Sequence, residues 1–119
     1  MDANFEELLG KTIVEITGMI PGNDRVEFKC SDGSQYALMH HQDCCESVRI
    51  EDIEGDHADL LNTTITMASE SSNKDNPPQH TESHTWTFYK LATVNGFVDI
   101  RWLGESNGYY SESVDFIKL

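Results

Sequence analysis

The sequence predicts an α+β fold that is mostly antiparallel β-sheet with one or two short helices. Apolar and polar side chains alternate over several short segments, which is the pattern of strands with one buried face. Tight-turn sequences separate these segments, and the clearest is Asn95-Gly96, the preferred pair for a two-residue hairpin. Helical signals are confined to two short stretches, at residues 5–9 and 56–61.

The first half of the chain is predicted to form a short helix and three strands. The helix covers residues 5–9, with Asn4 as its N-cap and Gly10 as a left-handed stop. A strand over residues 11–20 follows, and the turn at residues 21–24 leads into a second strand that places Val26 and Phe28 on one face. Asp32-Gly33 closes the next hairpin, into a strand over residues 35–40.

The second half continues the same pattern. Strands are predicted over residues 47–53 and 63–67, with one helical turn between them at residues 56–61. Residues 69–83 are polar and are predicted to form an exposed loop. The strand over residues 97–103 places Val98, Ile100 and Trp102 on one face, and a last strand covers residues 109–117.

Length and charge restrict the function. A chain of 119 residues is expected to form a single domain, residues 1–119. The 21 acidic and eight basic residues give a formal net charge of −13, which argues against direct binding of nucleic acid or an anionic membrane. The excess favours a basic partner, such as a host protein that binds nucleic acid, although it also serves solubility alone. The acidic N-terminus lacks the basic and apolar regions of a signal peptide and predicts a cytoplasmic protein.

The densest chemistry lies in residues 40–46, where two imidazoles, two thiols and two carboxylates fall within seven residues. Histidine and cysteine bind borderline-soft metals well, so the cluster predicts a structural zinc site. Adjacent cysteines rarely bridge each other, because the eight-membered ring strains the peptide bond. Cys30 and His41 are further candidates, and the expected ligands are His40, Asp43, Cys44, Cys45 and Asp52.

Two other interpretations of the cluster stay open. Free cysteine is often buried as a small apolar residue, so Cys44 and Cys45 are also compatible with ordinary packing. A catalytic pair of a cysteine nucleophile and His40 is disfavoured, because the surrounding negative charge raises a thiol pKa and suppresses the attacking thiolate. The sequence therefore predicts a binding protein rather than an enzyme.

Several segments resemble a family of small proteins encoded by bacteriophages and prophages. The resemblance begins near Leu9 and is carried by residues 40–46 (HxQDCCE), 51–56, 85–89 and 102–116. The family has no known function. The resemblance therefore implies where the protein acts, in the cytoplasm of a bacterial host, but not how it acts. The chain is also similar to acidic type II anti-CRISPR proteins that carry a metal. His41 falls at a variable position of the family pattern, which leaves His40 as the preferred ligand.

The resemblance and the charge together predict a phage-encoded anti-CRISPR or other anti-defence inhibitor. Such a protein would mimic DNA and block nucleic-acid loading by a type II CRISPR nuclease, whose channels are positively charged. Asp43 and Asp52 are candidates to face the basic partner, and the other expected contacts are Glu46, Glu51, Glu54, Asp56 and Asp59. An alternative is an anti-defence protein that sequesters a nucleotide signal in a pocket lined by Arg101, Trp102 and Tyr109.

Overall fold

Two four-stranded antiparallel sheets form the domain in a computed structural model that describes residues Met1–Leu119. The first sheet has the order β1-β2-β3-β8 and the second has the order β4-β7-β6-β5. The strands are β1 Ile13–Thr17, β2 Arg25–Cys30, β3 Gln35–Met39, β4 Ser47–Glu54, β5 Met67–Asn73, β6 Ser83–Thr93, β7 Gly96–Ser106 and β8 Asp115–Lys118. The mostly antiparallel prediction is confirmed, and no α-helix is present.

Both predicted helical stretches form 3-10 helices of four residues. The first, Phe5–Leu8, has the predicted N-cap: Asn4 accepts from the Glu6 amide, and the side chain of Glu7 accepts from the Asn4 amide. The second, His57–Leu60, begins after Asp56, whose side chain accepts from the Ala58 amide. No helix in the protein has the length and hydropathy needed to cross a membrane.

One continuous core lies between the two sheets. Phe28, Leu38 and Phe116 come from the first sheet, while Tyr89, Ile100 and Trp102 come from the second. Phe5 lies between the sheets, because its ring centroid is 4.8 Å from that of Tyr89 and 5.2 Å from that of Phe116. Sheets packed face to face over alternating inward side chains are expected to be about 10 Å apart.

The predicted hairpin between β6 and β7, the two longest strands, is confirmed, but its two loop residues are Val94-Asn95, one position earlier than predicted, and Gly96, in β7, already pairs with Thr93. Val98, Ile100 and Trp102 are buried on one face of β7, as predicted, and Arg101 lies on the other. Trp86 and Phe88 of β6 lie opposite Leu103 and Arg101, on the outer face of the second sheet. The core positions of β6 are Thr87, Tyr89 and Leu91.

Three boundary predictions are wrong. Residues 63–66 contribute only an isolated bridge at Thr64, and the strand begins at Met67. Residues 69–73, predicted to begin an exposed loop, belong to β5, because backbone hydrogen bonds to β6 hold a serine-rich segment of poor intrinsic strand propensity. Residues 107–114 form an irregular connection, and β8 is limited to residues 115–118.

Candidate functional site

The imidazole of His40 lies in the interior, at the end of β3, and only 4% of its side chain is exposed. Its Nε2 atom lies 2.7 Å from Oε2 of Glu46, and its Nδ1 atom lies 2.7 Å from the carbonyl oxygen of Ser113. A carbonyl oxygen can only accept, so Nδ1 donates to Ser113. His40 thereby joins the 40–46 segment to the connection that precedes β8.

The Glu46 carboxylate organises the turn around it and has no exposed side-chain surface. Besides facing His40, it accepts hydrogen bonds from the amides of Asp43 and Cys44, both at 2.9 Å. The hydrogen bond from His40, followed by that from the Cys44 amide, lowers the pKa of Glu46 to about 2. Glu46 was predicted to contact a partner, but in this structure its carboxylate points inward and satisfies this turn.

The predicted metal ligands do not converge. Cys44 and Cys45 are exposed and joined to each other in a disulfide, contrary to the expectation that neighbouring cysteines rarely bridge. Cys30 is buried in β2, and burial raises the pKa of its thiol. Asp52 lies on β4, 4.0 Å from Arg101.

No group of three or more His, Cys, Asp or Glu side chains is arranged to hold a metal ion. Zinc therefore stays a prediction. It requires two conditions: reduction of the Cys44–Cys45 disulfide to thiolates, and release of a His40 ring nitrogen from its present partner.

Acid is expected to weaken the Glu46 turn. A carboxyl with a lowered folded-state pKa stabilises the fold above its unfolded value of 4.5, and this contribution disappears as the pH falls toward 2. In Glu46→Gln the contribution is absent at every pH. The difference in unfolding free energy between wild type and Glu46→Gln should therefore shrink as the pH falls through this window, as measured by urea titration at several pH values. Glu51→Gln, an exposed control, should retain the wild-type dependence; a constant difference for Glu46→Gln would contradict the prediction.

A second buried carboxylate, Glu112, was missed by the sequence prediction. It accepts hydrogen bonds from Thr85, at 2.8 Å, and from the Ser106 hydroxyl, and the Lys74 ammonium lies 3.7 Å away. Burial alone would raise its pKa, but hydrogen bonds from Ser106, Ser83 and Thr85 hold the pKa below its ordinary value. Together with His40, Glu112 fastens the 107–114 connection across the end of the domain.

The exposed acidic side chains of β4 depend on a register irregularity. Ile50 and Ile53 are three residues apart, so a regular strand would place them on opposite faces. Between Ile50 and Asp52 the pairing with β7 shifts by one residue, and both isoleucines pack against the core. The extra residue, Glu51, stands next to Asp52 on the outer side.

Carboxylates from β4 and β7 share this outer side, and those of Asp56 and Asp59 follow directly after β4. Glu54 lies opposite Asp99 in the β4–β7 pairing, and a depression of 130 Å³ is lined by Asp52, Glu54, Phe88, Asp99 and Arg101. We call the group the acidic face; it consists of Glu51, Asp52, Glu54, Asp56, Asp59 and Asp99. Asp99 was not predicted, because the sequence does not reveal that β4 pairs with β7.

Cations of the protein only partly neutralise the acidic face. Glu51 lies 3.8 Å from Arg49, and Lys90 lies 3.7 Å from Oδ1 of Asp99. That Asp99 oxygen is buried and has no hydrogen-bond partner. No lysine or arginine lies within 4.0 Å of the carboxylates of Glu54, Asp56 or Asp59.

The side chains predicted to form a nucleotide pocket do not come together. Trp102 is fully buried in the core, whereas Tyr109 is 89% exposed in the 107–114 connection. Arg101 lies on the outer face of the sheet, with its guanidinium 5.1 Å from the ring centroid of Trp86.

Comparison with known proteins places these features in a family. No curated protein and no solved structure matches the chain. A family model described as a domain of unknown function, DUF7448, matches residues 6–116, which include the buried histidine, both buried carboxylates and the acidic face. The chain therefore belongs to the DUF7448 family.

Proposed function

We propose that this protein is an inhibitor that binds a basic, nucleic-acid-binding host protein through its acidic face and competes with polynucleotide. The observation that carries the proposal is the cluster of outward carboxylates on β4 and β7, of which Glu54 has no lysine or arginine of the protein within 4.0 Å. Asp56 and Asp59, which follow directly after β4, have no such cation either. Asp52 and Glu54 occupy alternate positions of β4, which are about 6.5 Å apart, and Asp99 lies opposite Glu54, so three negative charges stand close together.

The depression at the centre of the acidic face fits the head group of a partner lysine or arginine. Asp52, Glu54 and Asp99 line it together with Arg101, which lies 4.0 Å from Asp52, so an incoming cation would share these carboxylates with Arg101. Phe88 forms an apolar wall for the stem of such a side chain. A cation placed there would gain a charge-assisted hydrogen bond and close packing together.

Binding rather than catalysis is the proposed mode of action. Both ring nitrogens of His40 are engaged and the ring is buried, so in this state it offers no free base to a substrate. With a net charge of −13, long-range attraction to a basic channel speeds encounter, and contacts at the acidic face then hold the complex. The phage setting indicates a type II CRISPR nuclease as the partner, blocked before nucleic acid loads.

Inhibition of DNA cleavage by a type II CRISPR nuclease, together with the affinity for it, tests the proposal. Neutralising the acidic face with Glu51→Gln, Asp52→Asn and Glu54→Gln is expected to weaken binding about 100-fold. The matched control, Glu6→Gln, Glu15→Gln and Glu82→Gln, removes the same charge from other exposed positions and should change affinity by less than about fivefold. Added salt should weaken wild-type binding more than binding of the acidic-face variant.

Two outcomes would count against this function. Equal effects of the two triple variants would show that net charge, not the acidic face, drives binding. Absence of binding at low salt would exclude type II nucleases as the partner.

A further inference from the structure

We propose that the free edge of β5 is a strand-addition site for an extended, basic segment of a partner protein. β5 and β4 form the two opposite edges of the second sheet, so this surface is separate from the acidic face and the inference goes beyond the proposed function. Strand addition draws affinity from main-chain hydrogen bonds and specificity from contacts to alternate side chains.

The other three sheet edges are at least partly covered by the protein itself. The amide of Ala3 donates to the carbonyl of Phe116 and that of Lys118 donates to the carbonyl of Met1, so the N-terminus lies along β8. At β4, the amide of Gly22 donates to the Ile50 carbonyl, and the Ile50 amide donates to the carbonyl of Asn23. β1 is approached by isolated bridges between residues 12 and 64 and between residues 13 and 61.

β5 has no hydrogen-bonded cover, although the 3-10 helix Phe5–Leu8 packs beside it. Its backbone hydrogen bonds all lead to β6, and none joins residues 67–73 to any other segment. In an antiparallel pair, alternate residues direct both the N–H and the C=O away from the partner, so about half of the β5 backbone groups face outward unpaired. The residues from Ser69 to Asn73 are all exposed.

β5 also lacks three of the features by which proteins usually protect an edge strand, although it carries one charged residue, Glu70. Such edges commonly carry lysine, proline or a bulge. The β5 sequence, MASESSN, has no lysine and no proline, and its register with β6 is unbroken from Met67 to Asn73. A straight strand of seven residues is available for pairing.

The chemistry beside this edge selects a basic occupant. A groove of 570 Å³ adjoins β5, and its charged lining residues are Asp2, Glu7, Glu70 and Asp115, without a lysine or arginine. Lysine or arginine at alternate positions of an added strand would point into this groove. Met67, which is 45% exposed at the start of β5, offers an apolar contact on the opposite face of the strand.

A second copy of the chain fits this edge poorly. In a symmetric antiparallel pairing of β5 with β5, the central residue Glu70 would lie opposite Glu70 of the other copy. Like charges directly opposite each other destabilise a strand pair, and each copy carries a net charge of −13. A basic strand from another protein avoids both penalties.

The test uses the full chain and a synthetic peptide of about ten residues that alternates lysine and valine, a strand-forming pattern. Binding is measured by fluorescence anisotropy, and the bound site is located by amide hydrogen exchange. We expect slower exchange of alternate amides in residues 67–73 and weak affinity, with a Kd of about 10–100 μM. Glu70→Lys should weaken binding about tenfold, whereas Glu82→Lys, with the same charge change outside the groove, should have less than a twofold effect.

A peptide with the same side chains but N-methylated alternate amides separates strand addition from simple charge attraction. It should lose at least tenfold in affinity, because it cannot complete the main-chain ladder. Equal binding of the methylated peptide, or unchanged exchange in β5, would overturn the proposal. So would a concentration-dependent dimer that protects β5 without peptide. The triple variant Glu51→Gln, Asp52→Asn and Glu54→Gln should bind the peptide normally, so the two proposed surfaces can fail independently.

Discussion

His40→Ala is expected to destabilise the fold by about 2–3 kcal/mol, because it removes one hydrogen-bond partner of a buried carboxylate and the hydrogen-bond donor of a backbone carbonyl. The Glu46 carboxylate would remain in the interior with only its amide donors, and the carbonyl of Ser113 would lose its donor. The loss acts on two connections at once, residues 40–46 and 107–114. Urea unfolding at pH 7 measures the effect.

His41 supplies a matched control one residue away. Its imidazole also contacts a carboxylate, with Nδ1 at 2.9 Å from Asp115, but the side chain is 64% exposed. Exposed ion pairs contribute about 0–1 kcal/mol, so His41→Ala should cost less than about 1 kcal/mol. Similar losses for the two variants would show that the buried geometry of His40 has no special part in stability.

Hydrogen exchange adds a second measurement for His40→Ala. Faster exchange should be confined first to residues 40–46 and 107–114, before the strands of the core are affected. A uniform increase over the whole chain would indicate that the substitution weakens the core rather than the two connections.

The parts of the fold that were predictable are those that depend on local sequence. The Asn95-Gly96 pair located the β6–β7 hairpin to within one residue of its loop, and the alternation of Val98, Ile100 and Trp102 determines which face of β7 is buried. Asn4 and Glu7 likewise form a capping pair through residues three apart. Each of these outcomes needs no knowledge of distant contacts.

The parts that could not be predicted depend on pairings between distant segments. β5 is a strand because β6 lies beside it, and its serines carry no signal of that neighbour. Glu112 is buried because Thr85 and Ser106, on two other strands, meet at its carboxylate. The chemistry of the 40–46 segment was visible in the sequence, but its use was not: the histidine binds a carboxylate and a carbonyl, and the adjacent thiols bind each other.

The two buried carboxylates, Glu46 and Glu112, each hold one connecting segment in place by hydrogen bonds. Glu46 fixes the segment between β3 and β4, and Glu112 fixes the segment between β7 and β8. One segment leads into β4 and the other follows β7, and these two paired strands carry the acidic face. A rigid arrangement of these strands lowers the entropy lost when the acidic face binds a partner.

Gly104→Ala tests whether the close packing of Glu112 against β7 holds the 107–114 connection in place. We expect it to lower the free energy of unfolding by about 3 kcal/mol. Gly104 lies on β7 against the 107–114 connection, and an added Cβ would overlap the carbonyl oxygen of Glu112 and lie 2.8 Å from its Cβ atom. Neither group can move aside cheaply, because the Glu112 side chain is held by Thr85 and Ser106. The 107–114 connection would have to move away from β7, which would expose the buried carboxylate of Glu112.

Gly108→Ala is the appropriate comparison for Gly104→Ala. Gly108 has a φ of 95°, which disfavours any side chain, but an added Cβ would meet no atom within 4 Å. Its cost is therefore conformational and about 1 kcal/mol, whereas the cost at Gly104 is steric. Thermal unfolding of both variants separates the two effects, and hydrogen exchange in residues 107–114 shows whether the connection has lifted. If Gly104→Ala proved as stable as Gly108→Ala, the close packing of Glu112 on β7 would not be what holds this end of the domain.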